Sequence, residues 1–159
     1  MIVKQKACCF FGHRKIPSVQ YNRIVERLES EIIKLINLGV RRFYAGSALG
    51  LDTFAALIVL GLREKHPHIR LLLVLPCLEQ TKQWEEIDKE IYNMIWKRAD
   101  RVIYTSENYY QGCMQKRNRY MVDNGTACIC YLTETTGGTA YTVDYAKKHV
   151  VNVINLAQS

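Results

Sequence analysis

No apolar run in this chain is long enough to span a bilayer. The longest, Phe54 to Leu62, falls well short of the roughly 20 residues a membrane helix needs, and it follows Asp52 closely. The N-terminus lacks the basic-then-apolar pattern of a secretory signal. These two absences lead to the expectation of a soluble, cytoplasmic protein with no membrane partner. None of the six cysteines forms a CxxC pair: Cys8 and Cys9 are adjacent, Cys128 and Cys130 alternate, and Cys77 and Cys113 stand alone. That spacing argues against a zinc site, so no metal is expected and buried free thiols are the default. Repeats and low-complexity segments are missing too. With 48% hydrophobic residues over 159 positions, the composition is that of a globular chain, and one domain, 1–159, is the expected organisation.

What the chain does have is positive charge, unevenly placed. The formal net charge is +7. Residues 1–50 carry nine Lys and Arg against three Asp and Glu, or +6; residues 51–100 come to −1 and residues 101–159 to +2. Such an excess suits an anionic partner, a nucleotide or a nucleic acid, and equally a solvated surface.

Short apolar runs alternate with helical periodicity. Strands are expected at Ala7 to Phe11, around Phe43 to Ala45, at Ile69 to Leu75, Arg101 to Tyr104, Thr126 to Leu132 and Val150 to Ile154. Between them, Tyr21, Val25, Leu28, Ile32 and Leu35 recur at helical spacing, with Ser18 as a cap and Gly39 just past the end. A second helix follows Asp52 and closes by Pro67. A third carries Trp84, Ile87, Ile91 and Ile95, a fourth covers 112 to 123, and a fifth runs from Thr139 to His149. This alternation implies right-handed crossovers and an α/β fold, a Rossmann-like three-layer sandwich with a mainly parallel sheet.

In such sheets ligands bind beyond the carboxyl ends of the strands. The candidate loops there are Gly12-His13-Arg14-Lys15, Gly46-Ser47-Ala48, Pro76-Cys77, Ser106-Glu107-Asn108 and the stretch from Glu134 to Thr139. Arg14 offers a planar fork for phosphate or carboxylate, or it is a solvated loop residue. His13 is a candidate general base by its reference pKa, with no partner visible. Gly46, Ser47 and Gly50 form a strand–glycine–helix turn suited to anions. Asp52 falls in the next helical turn, either as a dipole partner or as an acceptor for a ribose hydroxyl. Arg117, Asn118 and Arg119 sit on the fourth helix, where positions two apart splay, so at most one arginine reaches the ligand edge. Gly137, Gly138 and Thr139 repeat the strand–glycine–helix logic, and Asp144 lies further along that helix.

Taken together, Phe11-Gly12-His13-Arg14, Ala45 to Asp52, Lys116 to Arg119 and Gly137 to Thr139 resemble the SLOG superfamily, in its small bacterial YpsA-like branch. The superfamily also contains the Rossmann-like domain of the DNA-processing protein DprA and the Lonely guy and lysine-decarboxylase-like proteins. The enzymes carry two glycines, a residue and then Gly-Thr-x-x-Glu. Here Gly137-Gly138-Thr139 is followed by Ala140-Tyr141, and Asp144 stands where the enzyme has its catalytic glutamate, so Asp144 is only a weak catalytic candidate. Three readings follow from the resemblance. The leading one is a sensor or regulatory module for a nucleotide-derived ligand such as ADP-ribose, NAD or a nucleoside phosphate. The second is a nucleoside-monophosphate phosphoribohydrolase. The third is DprA-like single-stranded DNA binding, using the basic first third and Tyr109-Tyr110 beside Lys116 to Arg119. Related proteins also imply a homodimer.

Overall fold

The computed structural model describes residues 5–46, 49–78, 84–149 and 151–158. Six strands, β1 (Ala7–Gly12), β2 (Arg42–Ala45), β3 (Arg70–Leu75), β4 (Arg101–Tyr104), β5 (Ala127–Tyr131) and β6 (Asn152–Asn155), form one sheet in the order β4-β3-β2-β1-β5-β6. Every strand pairing in it is parallel. The described helices are α1 (Tyr21–Asn37), α2 (Leu51–Arg63), α3 (Glu86–Arg98), α4 (Cys113–Asn124) and α5 (Gly138–Lys148). It is the Rossmann-like three-layer α/β/α arrangement expected from the sequence.

Strand alternation sorts the core into two layers. Phe10, Phe43, Leu71, Leu73 and Ile129 point to one face, where they meet Ile24, Leu28 and Ile32 of α1, Ala55 and Val59 of α2, and Ile95 of α3. Cys9, Phe11, Tyr44, Leu72, Val74 and Cys128 point to the other, against Met121 and Val122 of α4 and Val143 and Ala146 of α5. Of the described helices, three cover one face and two the other. A chain with right-handed crossovers does this when its sheet grows one way from β1 to β4, then resumes on the far side of β1. All six cysteines are buried free thiols. Burial pushes the Cys8 thiol well above its ordinary value, consistent with a small apolar filler.

Three helix details differ from the sequence reading. Ser18 does not cap α1: it opens a tight turn, Ser18–Gln20, closed by Gln20 N–H on the Pro17 carbonyl at 2.9 Å, and the α-helix starts at Tyr21. The buried stripe of α1 accordingly runs through Ile24 rather than Val25. Helix α2 ends at Arg63, four residues before Pro67, because the chain there tightens into turns bonded to Leu62. In α3 only Ile95 is buried, while Ile87 is 61% exposed. The helix lies at the β4 margin, where the sheet runs out, so its N-terminal half finds little core to cover.

Ile32→Ala is therefore expected to cost about 2–5 kcal/mol, the usual result of emptying a well-packed site. Ile87→Ala, identical in chemistry, should stay within about 0.5 kcal/mol. Urea denaturation of the two variants checks the contrast.

Candidate functional site

The sheet reverses its direction of growth between β1 and β5, and the carboxyl ends of these two strands, Gly12 and Tyr131, are register partners. A cavity of about 250 Å³ opens just beyond them. The β1 exit contributes Phe11, Gly12, His13 and Arg14; α2 contributes Asp52; α4 contributes Met114, Arg117 and Asn118; α5 contributes Gly138 and Thr139.

Arg117 forms its inner wall. The residue is only 4% exposed, and its Nη1 donates to the Gly46 carbonyl at 2.7 Å and the Val74 carbonyl at 3.3 Å. Its Nε donates to Asn118 Oδ1 at 2.7 Å. Asn118 Nδ2 in turn donates to Thr142 Oγ1 at 3.0 Å, and the Thr142 hydroxyl donates to the Gly138 carbonyl at 2.9 Å. One hydrogen-bonded relay thus runs from the ends of β2 and β3, through α4, to the first turn of α5. Burial pulls the Arg117 guanidinium below arginine's usual value; the Asp52 carboxylate opposes that shift and the Arg14 cation adds to it. Arginine stays charged even so, and Asp52, itself 7% exposed, supplies the matching negative charge.

Glycines allow the segments to come this close. A Cβ on Gly46 would lie 2.4 Å from Arg117 Nη1 and 2.9 Å from Asp52 Oδ2. Gly50 has φ +88°, and a Cβ there would sit 2.4 Å from the His13 carbonyl oxygen. The glycine-rich turn therefore locks against the β1 exit loop. At the other wall, nothing lies within 4 Å of where a Cβ on Gly137 or Gly138 would stand, and α5 begins there with no side-chain cap.

Not every sequence candidate lines this cavity. His13 does, but its Nε2 accepts a hydrogen bond from the Thr133 N–H at 3.0 Å and its ring meets Tyr131 edge-on, with centroids 6.0 Å apart. The imidazole thus ties the β1 and β5 exit loops together, with the lone pair a general base would use already engaged. Arg119 sits two residues from Arg117 and reaches instead toward the Tyr141 hydroxyl at 3.5 Å. Asp144 is exposed on α5, outside the lining. Ser47 lies outside the described residues. Tyr109 and Tyr110 are exposed on the loop before α4. The basic first third is divided: Arg14 and Lys15 are at this edge, whereas Lys6, Arg41 and Arg42 are at the amino ends of the strands.

Two residues of the site carry no obvious mark in the sequence. Met114, which has the pattern of a core residue, lines the cavity. Thr142 completes the relay; its signal is a hydroxyl four residues after Gly138, the spacing at which a helical threonine bonds the preceding turn's carbonyl.

Gly46→Ala should drive a methyl group into the guanidinium and cost about 1–3 kcal/mol. Arg117→Leu should cost more, about 3–5 kcal/mol, because it leaves the Gly46 and Val74 carbonyls without their donor and the buried Asp52 carboxylate without its countercharge. Because the first substitution acts by clashing with Arg117, the double variant should be less destabilised than the sum of the two, which a double-mutant cycle in urea measures.

Known proteins share this architecture. The YpsA model, described as the YspA SLOG family, matches residues 4–155. A UPF0398 protein of Halalkalibacterium halodurans is 34% identical over 128 residues, covering 79% of this chain and 68% of its own length. The uncharacterised SPbeta prophage-derived protein YoqJ of Bacillus subtilis is 34% identical over 119 residues, covering 67% and 70%. Among solved structures, DprA of Helicobacter pylori, described for its single-stranded DNA binding mode, superposes with a TM-score of 0.64 at 16% identity over 94% of this chain. DprA of Streptococcus pneumoniae gives 0.65 at 16% over the same share. This chain spans 64% and 49% of those two DprA chains, and the likeness to them is one of fold. No described helix is long and apolar enough to cross a membrane. With a family match that takes in all six strands and all five described helices, the chain belongs to the YspA SLOG family.

Proposed function

We propose that this protein is a binding module for a nucleotide-derived ligand, held in the cavity at the β1/β5 switch. The observation that carries the reading is the pairing of a buried Arg117, bonded through Nε and Nη1, with an exposed Arg14 beside the uncapped start of α5, at the position where open α/β sheets take their ligands. Two cations against the single carboxylate of Asp52 leave the cavity with a positive balance. Asp52 stands at the start of α2, so an anionic group is repelled there. The phosphate is therefore assigned to the N–H groups of α5 around Gly138 and Thr139, with Arg14 closing over it. Asp52 and Asn118 are then the partners for sugar hydroxyls. At about 250 Å³ the cavity is smaller than the roughly 300–1,000 Å³ typical of drug-sized ligands. It suits a phosphorylated ribose with its base at the mouth, such as a nucleoside monophosphate or one half of ADP-ribose or NAD.

No observation favours base release over binding. The aspartate that stands at the enzyme's glutamate position is exposed on α5 outside the cavity, and His13 is engaged by Thr133.

A panel of adenosine, AMP, ADP-ribose and NAD tests the reading by thermal shift. Ligand at a hundred times its Kd stabilises by about 2.7 kcal/mol, which for a domain of this size is about 5–11 °C in Tm. The phosphorylated compounds should produce the shift, adenosine should not, and Arg14→Ala should remove most of it without altering the melting point of the free protein. No shift with any phosphorylated compound at millimolar concentration, or an equal shift with adenosine, would overturn the reading.

A further inference from the structure

The opposite edge of the sheet carries a second cationic surface that the nucleotide cavity does not use. Arg42, Arg70 and Arg101 open β2, β3 and β4, and the register pairs Arg42 with Arg70 and Leu72 with Arg101. By strand alternation all three share the face of Tyr44, Leu72 and Ile103. Helices α4 and α5 leave this corner of the face uncovered, and a groove of about 430 Å³ lies there between the arginines and the last turns of α4. A neighbouring hollow of about 400 Å³ shares Arg42 and Arg70 and adds Lys6, Arg41 and His68.

This arrangement is electrostatically unfavourable on its own. Like charges set side by side on neighbouring strands repel, and Arg42 and Arg70 are register partners. The one carboxylate in the groove is already committed: Asp100 Oδ2 accepts from Arg63 Nη1 at 2.9 Å and from the Leu71 N–H at 2.8 Å, and its Oδ1 lies 3.9 Å from Arg70 Nε. Among the described residues no acid stands within salt-bridge distance of Arg41, Arg42 or Arg101. Arg70 is held in place by the Pro67 and Ile69 carbonyls, at 2.8 and 3.0 Å. The result is a rail of three arginines on neighbouring strands, Arg101 set two residues further along than Arg42 and Arg70, beside an apolar floor with Tyr120 as a wall.

We propose that this groove, at the amino ends of β2 to β4, binds a single-stranded polynucleotide, with phosphates on the arginine rail and a base against Tyr120 and the apolar floor. A cationic track beside aromatic and apolar surface is the chemistry of single-strand binding. A duplex hides the base faces that such a floor would receive. A flat bilayer does not enter a recessed groove, and acidic side chains leave its apolar floor unused. The site lies at the far end of the strands from the nucleotide cavity, and the inference does not depend on that cavity's ligand.

The test is fluorescence anisotropy with a labelled oligothymidylate of about 12 nucleotides, within the usual site sizes. The double variant Arg42→Ala/Arg101→Ala removes two exposed cations that make no ion pair among the described residues, so its melting point and its AMP-induced shift should match the parent. Its oligonucleotide affinity should fall by at least about tenfold, and the slope of log K against log salt should flatten by about 1.4, or 0.7 for each phosphate that is no longer neutralised. Arg14→Ala should leave oligonucleotide binding intact. The proposal fails if the parent shows no binding at about 20 mM salt. It also fails if the double variant binds as the parent does, if Arg14→Ala rather than the double variant abolishes binding, or if an acidic peptide or anionic vesicles bind the groove more tightly than the oligonucleotide.

Discussion

A guanidinium can be buried only where carbonyls, amides or carboxylates replace the water it gives up. Arg117 meets that requirement through the chain ends of β2 and β3 and through Asn118, and much of the cavity's shape follows. The Gly46 carbonyl must face α4, so position 46 has no room for a side chain. Helix α4 must lie across the sheet with Arg117 pointing inward, which fixes Asn118 toward Thr142 and sets the start of α5. A single buried cation thereby positions the three segments that border the cavity.

The same constraint separates two roles that a basic sequence leaves mixed. Arg117 commits its Nε and Nη1 donors to the protein and contributes field and shape, whereas Arg14 is exposed at the mouth. His13 is likewise drawn into architecture by the Thr133 N–H. The cavity is therefore well organised for recognition: its walls are fixed in advance by hydrogen bonds, and the open groups are the helix start of α5 and the Arg14 fork. The arginine rail at the other edge differs in kind. There the cations are exposed and adjacent, and Asp100, 3.9 Å from Arg70 and shared with Arg63, is the one carboxylate lining the groove among the described residues.

Much of the fold was legible in the residues. Apolar runs of four to six residues punctuated by Gly and Pro located all six strands, since a parallel sheet covered on both faces demands continuous apolar strands. Helix periodicity located the five helices. Where the reading slipped, the cause was tertiary. The apolar stripe of α3 looked like that of α1, but its position at the sheet margin leaves Ile87 exposed. Ser18 had the chemistry of a cap, but Pro17 turns the chain one step too tightly for it to serve.

Of the site, the sequence by itself determined the ingredients: glycines where strands feed helices, an aspartate opening α2, and an arginine pair on one helix with Asn118 between. These are local properties, fixed by residue type and spacing within a turn or two. Which of Arg117 and Arg119 faces inward, that Thr142 closes the relay, and that Met114 lines the cavity were decided only when α4 crossed the sheet and met α5. So was the gathering of Lys6, Arg42, Arg70 and Arg101 at one edge. They lie up to 95 positions apart in the chain, and only the register of parallel strands brings them to one end of the sheet. Helix phase and strand register depend on contacts between distant segments, and no local pattern encodes them.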